Sequence, residues 1–243
     1  PGSTPSESIP VPREFDSVWP GSASSQPRTV TRPARSVTMA PSGPERARER
    51  AARKTARGGG RGMATTTVRG AAAIALPIEA CWQKMRDLRR AKDYVPGLSD
   101  CVVTTAAQEG VGASRIVTHS QFGAMNESVV VWDEGRGMTL RLHKGDKPAR
   151  PFAEAYFRYE FRPARAAGAG AGAAPGCEIH TALTYRLPLG PIGRLLDALF
   201  LSRLFQQNVV DAAVCLAENY RTDRPVPAAE LPRLRKNALP SCP

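Results

Sequence analysis

Six segments of alternating apolar and polar residues, 100–107, 113–122, 125–134, 137–144, 154–162 and 177–187, succeed one another along the chain. Gly110, Gly112, Gly123, Gly135 and Gly137 punctuate them. A period of two is the signature of a half-buried strand, and glycines between such segments mark tight turns. Parallel neighbours need a crossover of a dozen or more residues, so connections this short predict an antiparallel meander. Such a sheet has one face to bury. In 154–162 that face carries Ala155, Phe157, Tyr159 and Phe161, against Glu154, Arg158 and Glu160 on the other. In 177–187 it carries Ile179, Thr181, Leu183, Tyr185 and Leu187.

The cover for that face is legible downstream. "TYRLPLGPIGRLLDALF" (184–200) begins as a strand, which Pro188 and Pro191 must end because neither can donate to a ladder. A long helix is predicted from about 190 to 221. Phe205, Val209, Ala212, Ala213, Leu216 and Tyr220 share one side, with Arg203, Gln207, Asp211, Glu218 and Arg221 opposite. Upstream, "TTTVRGAAAIAL" (65–76) is a further strand, and Pro77 suits the first turn of a helix presenting Ile78, Trp82 and Met85. A second short helix or turn ends by Pro96 and Gly97. "AAGAGAGAAPG" (166–176) is a low-complexity hairpin loop, and "PARPFAEAYF" (148–157) begins as a loop at the mouth of the space beneath the helix, with Gly145 as a hinge.

"ALPIEACWQKMRDL", "GVGASRIV", "NESVVVWDE" and "YRLPLGPIGRLLDALF" resemble landmarks of the START-like, or SRPBCC, superfamily of polyketide cyclase/dehydrase and lipid-transport type domains. The resemblance covers about residues 65–222. It implies an α+β helix-grip fold, a seven-stranded antiparallel sheet wrapped around a long C-terminal helix with a cavity for a hydrophobic ligand between them.

It also implies that the Arg of "GASRIV" and the Glu of "NESVV", Arg115 and Glu127, project toward the cavity. Strand alternation adds Val117 and His119 to the face of Arg115, and Val129, Val131 and Asp133 to that of Glu127. His119 and Glu127 are thereby the candidate catalytic acid–base pair, since a carboxyl among valines is raised in pKa or paired. The alternative is an internal Arg115–Glu127 salt bridge that only orients the sheet. The candidate ligand-binding residues are Arg115, Val117, Val129, Val131, Leu140, Leu142, Phe157, Tyr159, Leu183, Phe205, Asn208 and Val209. The small helix residues Ala212, Ala213 and Ala217 leave the groove unfilled, so a pocket on the order of 300–1,000 Å³ is expected. His143 and His180 fall among surface-facing neighbours and are read as solvated. The favoured function is binding of a small hydrophobic molecule, lipid or polyketide-like. A cyclase, aromatase or dehydratase using the same cavity is one alternative, and a co-chaperone-like protein adaptor is a second.

Charge says where partners are not. The formal charge is +12, but residues 1–62 hold +6 and residues 224–243 hold +3, leaving +3 for the folded segment. The first 62 residues are rich in Pro, Ser, Arg and Gly with two aromatics, Phe15 and Trp19, so they are expected to be disordered. Without aromatic interleaving, this basic extension is read as a solvated tail rather than an RNA-binding arm, and no nucleic-acid partner is expected. Globular patterning begins at Met63, the expected start of the physiological protein, and residues 224–243 read as a disordered tail, so that 63–223 should carry the whole core. Five scattered cysteines lack zinc spacing, so reduced thiols in a cytoplasm are expected, with no metal and no cofactor. "GVGASR" precedes a strand and matches no phosphate-loop pattern, and GxSxG is absent. No apolar run reaches the ~20 residues of a membrane span.

Overall fold

The computed structural model describes residues 65–164, 176–188 and 200–240. The extension over 1–62, all but the end of the 166–176 loop, and the 190–199 start of the predicted terminal helix lie outside the described residues. β1 (Thr66–Ile74) leads into α1 (Ile78–Met85), a 3-10 turn at Leu88–Arg90 and α2 (Ala91–Tyr94). Then come β2 (Leu98–Val103), β3 (Ser114–His119), β4 (Gly123–Asp133), β5 (Gly137–Lys144), β6 (Lys147–Pro148), β7 (Glu154–Pro163) and β8 (Cys177–Arg186). α3 spans Ser202–Thr222, and the chain continues through a 3-10 turn (Ala228–Glu230), α4 (Leu231–Leu234) and a second 3-10 turn (Arg235–Asn237).

Antiparallel pairing joins the strands in the order β1-β8-β7-β5-β4-β3-β2, with the two-residue β6 paired only to β5. The predicted inner faces are buried: Ala155, Tyr159 and Phe161 on β7, and Ile179, Thr181, Leu183 and Tyr185 on β8. Pro77 fits the boundary of α1 because its φ of −65° is already helical in sign while its carbonyl accepts the Cys81 N–H at 3.1 Å. Cys81, Trp82 and Met85 form the buried side of that helix. Cys81 and Cys177 sit together as buried thiols, their sulfurs 3.4 Å apart.

One face assignment changes. Val129 pairs with Leu140 but Val131 pairs with Thr139, so two residues of β4 span one step of β5. This bulge reverses the alternation beyond Val129. Val131 and Asp133 therefore leave the face of Glu127, and Trp132 turns to the core, its ring 4.8 Å from that of Trp82.

α3 crosses the inner face over β1 and β8. A Cβ on Gly70 would stand 2.8 Å from the Val209 carbonyl oxygen and 2.8 Å from the Val210 Cα, so the backbones touch where β1 has no side chain. The Thr181 hydroxyl lies 2.9 Å from the Val209 carbonyl oxygen and 3.2 Å from that of Gly70, bridging helix and strand.

The expected disordered tail over 224–243 does not describe residues 224–240. Leu234 is 1% exposed and joins the core. Ala238 forms a bridge with Ala72, and the Leu239 N–H donates to the Ala71 carbonyl at 2.8 Å, covering the free edge of β1. Arg235 grips Asp211 through two bonds of 2.7 and 2.8 Å. Asp211 is only 4% exposed, which corrects its placement on a solvated face of the helix. The tail folds back because α3 still has Val214 and Cys215 to bury behind its sheet-facing side.

A chain ending at Asp223 should thus lose several kcal/mol of stability, since it exposes the core around Leu234 and leaves Asp211 buried without its cation. Leu234→Ala alone should cost about 2–5 kcal/mol. Urea denaturation monitored by tryptophan fluorescence checks both, and unchanged midpoints would mean that residues 224–240 carry no folding energy.

Candidate functional site

A cavity of about 110 Å³ lies between the inner face of the sheet and the first half of α3. Val117 and His119 of β3, Met125 and Glu127 of β4, Leu142 of β5 and Phe157 of β7 form its sheet wall. Leu183 of β8 completes that wall, and Phe205, Asn208, Val209, Asp211 and Ala212 of α3 lie opposite. Val95, Pro96 and Leu98 close one end, with Phe122 and Phe152 from two loops. Seven of the twelve expected lining residues are here: Val117, Leu142, Phe157, Leu183, Phe205, Asn208 and Val209.

The cavity is smaller than the expected 300–1,000 Å³ because aromatic rings occupy the groove that the alanines leave open. Phe205 stacks within 5.1 Å of Phe152 and 5.0 Å of Tyr185, and Phe152 lies 5.5 Å from Tyr185. Val129, Leu140 and Tyr159 are buried behind the cavity instead of lining it, and Val131 is turned away by the bulge.

Arg115 is likewise a core residue, 1% exposed. It stands directly across from Glu127 in the β3–β4 register. Its Nε and Nη2 donate to the same carboxylate oxygen, Oε2, at 2.7 and 2.6 Å, and Nη1 donates to the Leu88 carbonyl at 2.7 Å. Burial opposes the charge on Arg115, yet the Glu127 carboxylate beside it holds its pKa above the ordinary value. The Tyr94 and Tyr159 rings flank this region edge to face at 6.2 Å. Burial pushes the Tyr94 phenol up to about 12 and Tyr159 well above its usual range, so neither ionises near neutrality.

His119 and Glu127 do not meet. His119 is opposite Gly123, four residues along β4 from Glu127, or roughly 13 Å at strand rise. The Gln121 N–H donates to His119 Nδ1 at 3.0 Å, which requires a bare lone pair there and leaves the ring proton on Nε2. Burial lowers the His119 pKa, against a hydrogen bond with the Pro96 backbone and the charge of Glu127 across the same cavity wall. His119 thus holds the turn after β3 through the Gln121 N–H and lies with Pro96 on the cavity wall. His143 and His180 are half-buried, not simply solvated: His143 meets the Ser128 hydroxyl at 2.8 Å, and His180 meets Glu178 at 3.0 Å.

The sequence profile of a family described as polyketide cyclase / dehydrase and lipid transport matches residues 63–220. The chain belongs to this family. No curated protein matches the sequence significantly. Among solved structures, TTHA0849 from Thermus thermophilus is similar at 22% identity and a TM-score of 0.48, over 65% of this chain and 99% of its own. Ara h 8.0201 is similar at 12% identity and a TM-score of 0.47, over 65% and 99% of the two chains. DR_A0006 from Deinococcus radiodurans is similar at 22% identity and a TM-score of 0.40, over 63% and 96%.

In this polyketide cyclase / dehydrase and lipid transport family member, the seven-stranded path of the sheet with α3 across it is a helix-grip architecture. Sequence reasoning missed Phe122, Met125, Asp211 and the Val95–Leu98 segment as cavity residues. Met125 was available from alternation, being in step with Glu127 and Val129. The others sit on turns or owe their position to the tail, and period alone cannot place them.

Arg115→Met should destabilise the protein by about 3–5 kcal/mol, because it strands a largely buried carboxylate. Arg115→Met combined with Glu127→Leu should recover most of that loss. Denaturant midpoints of the two variants against wild type test the prediction, and equal losses in both would show that the pair contributes more than mutual neutralisation.

Proposed function

We propose that this chain binds a small apolar molecule in the cavity between the sheet and α3. The observation that carries the reading is the cavity itself, walled by apolar side chains of six strands and one helix, all inside the family-matched segment. Its size is near that of apolar cavities of about 150 Å³ that take up a single benzene ring, which favours a compact ligand over a long acyl chain.

The cyclase or dehydratase alternative needs a proton donor and acceptor converging on one reacting atom. His119 and Glu127 have no hydrogen bond with one another: His119 stands opposite Gly123, four residues along β4 from Glu127, and its Nδ1 accepts from the Gln121 N–H. An adaptor role draws on two separate exposed apolar pairs, Val102 and Ile116 beside the β2 edge and Phe200 and Leu204 at the start of α3. A pair of side chains falls well short of the several hundred Å² of contiguous apolar surface that marks an interface. Among the described residues no helix is long and apolar enough to cross a membrane.

Titration with toluene, followed by side-chain methyl resonances, tests the reading. Saturable shifts are expected at Val117, Leu142, Leu183 and Val209. Ala212→Leu, which adds three carbons to the cavity wall, should weaken binding at least tenfold while far-ultraviolet dichroism stays unchanged. No saturable shift in the wild type, or equal binding by the filled variant, would defeat the proposal.

A further inference from the structure

The charges around the cavity are distributed in a way that selects among apolar ligands. Two carboxylates line it, Glu127 from the sheet and Asp211 from α3, and among the described residues no Lys or Arg does. Each is neutralised from behind: Glu127 by Arg115 and Asp211 by Arg235. The two pairs are not equivalent. Asp211 has both oxygens taken by Arg235, and Oδ1 also accepts from Gln207. Glu127 receives both Arg115 bonds on Oε2 alone. Its Oε1 has no donor among the described residues, while the side chain is 13% exposed and borders the cavity.

We infer that the cavity selects a neutral, single-ring molecule bearing a hydroxyl group, which donates its proton to Oε1 of Glu127. The inference rests on the proposed binding role of the cavity and specifies its ligand.

A carboxylate oxygen only accepts, so the ligand must bring the donor. A hydrogen bond to a charged acceptor is among the stronger polar contacts, and an ether or ketone in the same place would displace water from Oε1 without supplying a donor. An anionic ligand would bring a third carboxylate beside Glu127 and Asp211 with no free cation to meet it, which disfavours fatty acids. A protonated amine is disfavoured for the opposite reason. Both lining carboxylates already have their guanidinium partners, so an added ammonium would sit uncompensated among phenylalanines. The Asn208 side-chain amide, on the facing helix wall, can answer the second side of a hydroxyl, as donor to its oxygen.

The test compares phenol with toluene, its near-isostere without the donor, in calorimetric or resonance titrations of the full chain. In Arg115→Met/Glu127→Leu the ratio of phenol to toluene affinity should fall about tenfold from its wild-type value, because one charge-assisted hydrogen bond is lost. Benzoate and benzylamine should each bind wild type at least tenfold more weakly than phenol. A measurement that needs no variant is the carboxyl-carbon resonance of Glu127, which should move on saturation with phenol and stay in place with toluene. An unchanged ratio in the double variant, a silent Glu127 resonance under phenol, or benzoate binding as tightly as phenol would overturn the inference while toluene binding keeps the cavity reading intact. Failure of toluene and phenol alike to bind wild type would remove the cavity reading, and this inference with it.

Discussion

The fold is organised by one backbone-to-backbone contact, the seat of α3 on β1 at Gly70. Any Cβ there would overlap the carbonyl of Val209, and the Thr181 hydroxyl bridges the two elements at the same point. Gln206, one turn earlier, accepts the Arg69 N–H at 3.3 Å through Oε1 and returns a bond to the Arg69 carbonyl through Nε2. A side chain of a helix residue thus completes the ladder on a strand that would otherwise present bare polar groups. The helix is fixed in distance by the glycine and in register by the threonine and glutamine. The cavity borders the helix from Phe205 to Ala212, and its later apolar side chains pack into the core. Phe205 and Asn208 border the cavity, whereas Ala213, Leu216 and Tyr220 are packed solid.

The same seat explains why the chain continues past the end of α3. A helix held flat on β1 and β8 presents a second apolar strip, Val214 and Cys215, away from the sheet. Burying it requires more chain, and residues 224–240 supply it with Leu234 as the anchor. Once that segment is in place, Asp211 is enclosed and needs a cation that only the segment can give. Arg235 provides it, so the ion pair and the apolar anchor enforce one another. The segment also pairs Ala238 with Ala72 at the edge of β1, which closes the edge that Gln206 leaves open.

What was legible in the sequence divides along physical lines. Period and turn chemistry placed the meander, the inner faces of β7 and β8, α1, and the sheet-facing side of α3, because each depends on neighbours within a few residues. The bulge after Val129 left no trace, since an extra valine among valines changes register without changing composition. It alone moved Val131 out of the site and Trp132 into the core. Asp211 was misread because its partner lies 24 residues downstream, in a segment with no periodic pattern of its own. The family resemblance singled out Arg115 and Glu127 as cavity-facing, with a salt bridge between them as the alternative, and the register makes them direct neighbours across β3 and β4. Cavity size was beyond sequence reasoning for a different reason. It is the remainder after large rings are placed, and the direction of Phe122, Phe152 and Phe205 decides it, not their number.

These features converge on the electrostatics of the cavity. Residues 63–243 carry half of the chain's net charge of +12, and around the cavity the positive charge is held behind the wall, one arginine in the sheet and one from the C-terminal segment. Each arginine is matched to a carboxylate that forms part of the wall, so the two ion pairs add polar atoms to the space but no net charge. The neutrality of the two sides has different origins. On the sheet side it is local, built by two residues facing one another across adjacent strands. On the helix side it depends on a segment that folds over the back of α3, beyond the 63–220 stretch that matches the family. The polarity of the ligand space is therefore tied to an element outside the matched domain: without that segment, Asp211 would enter the cavity wall as an uncompensated charge, and the space would no longer suit a neutral molecule.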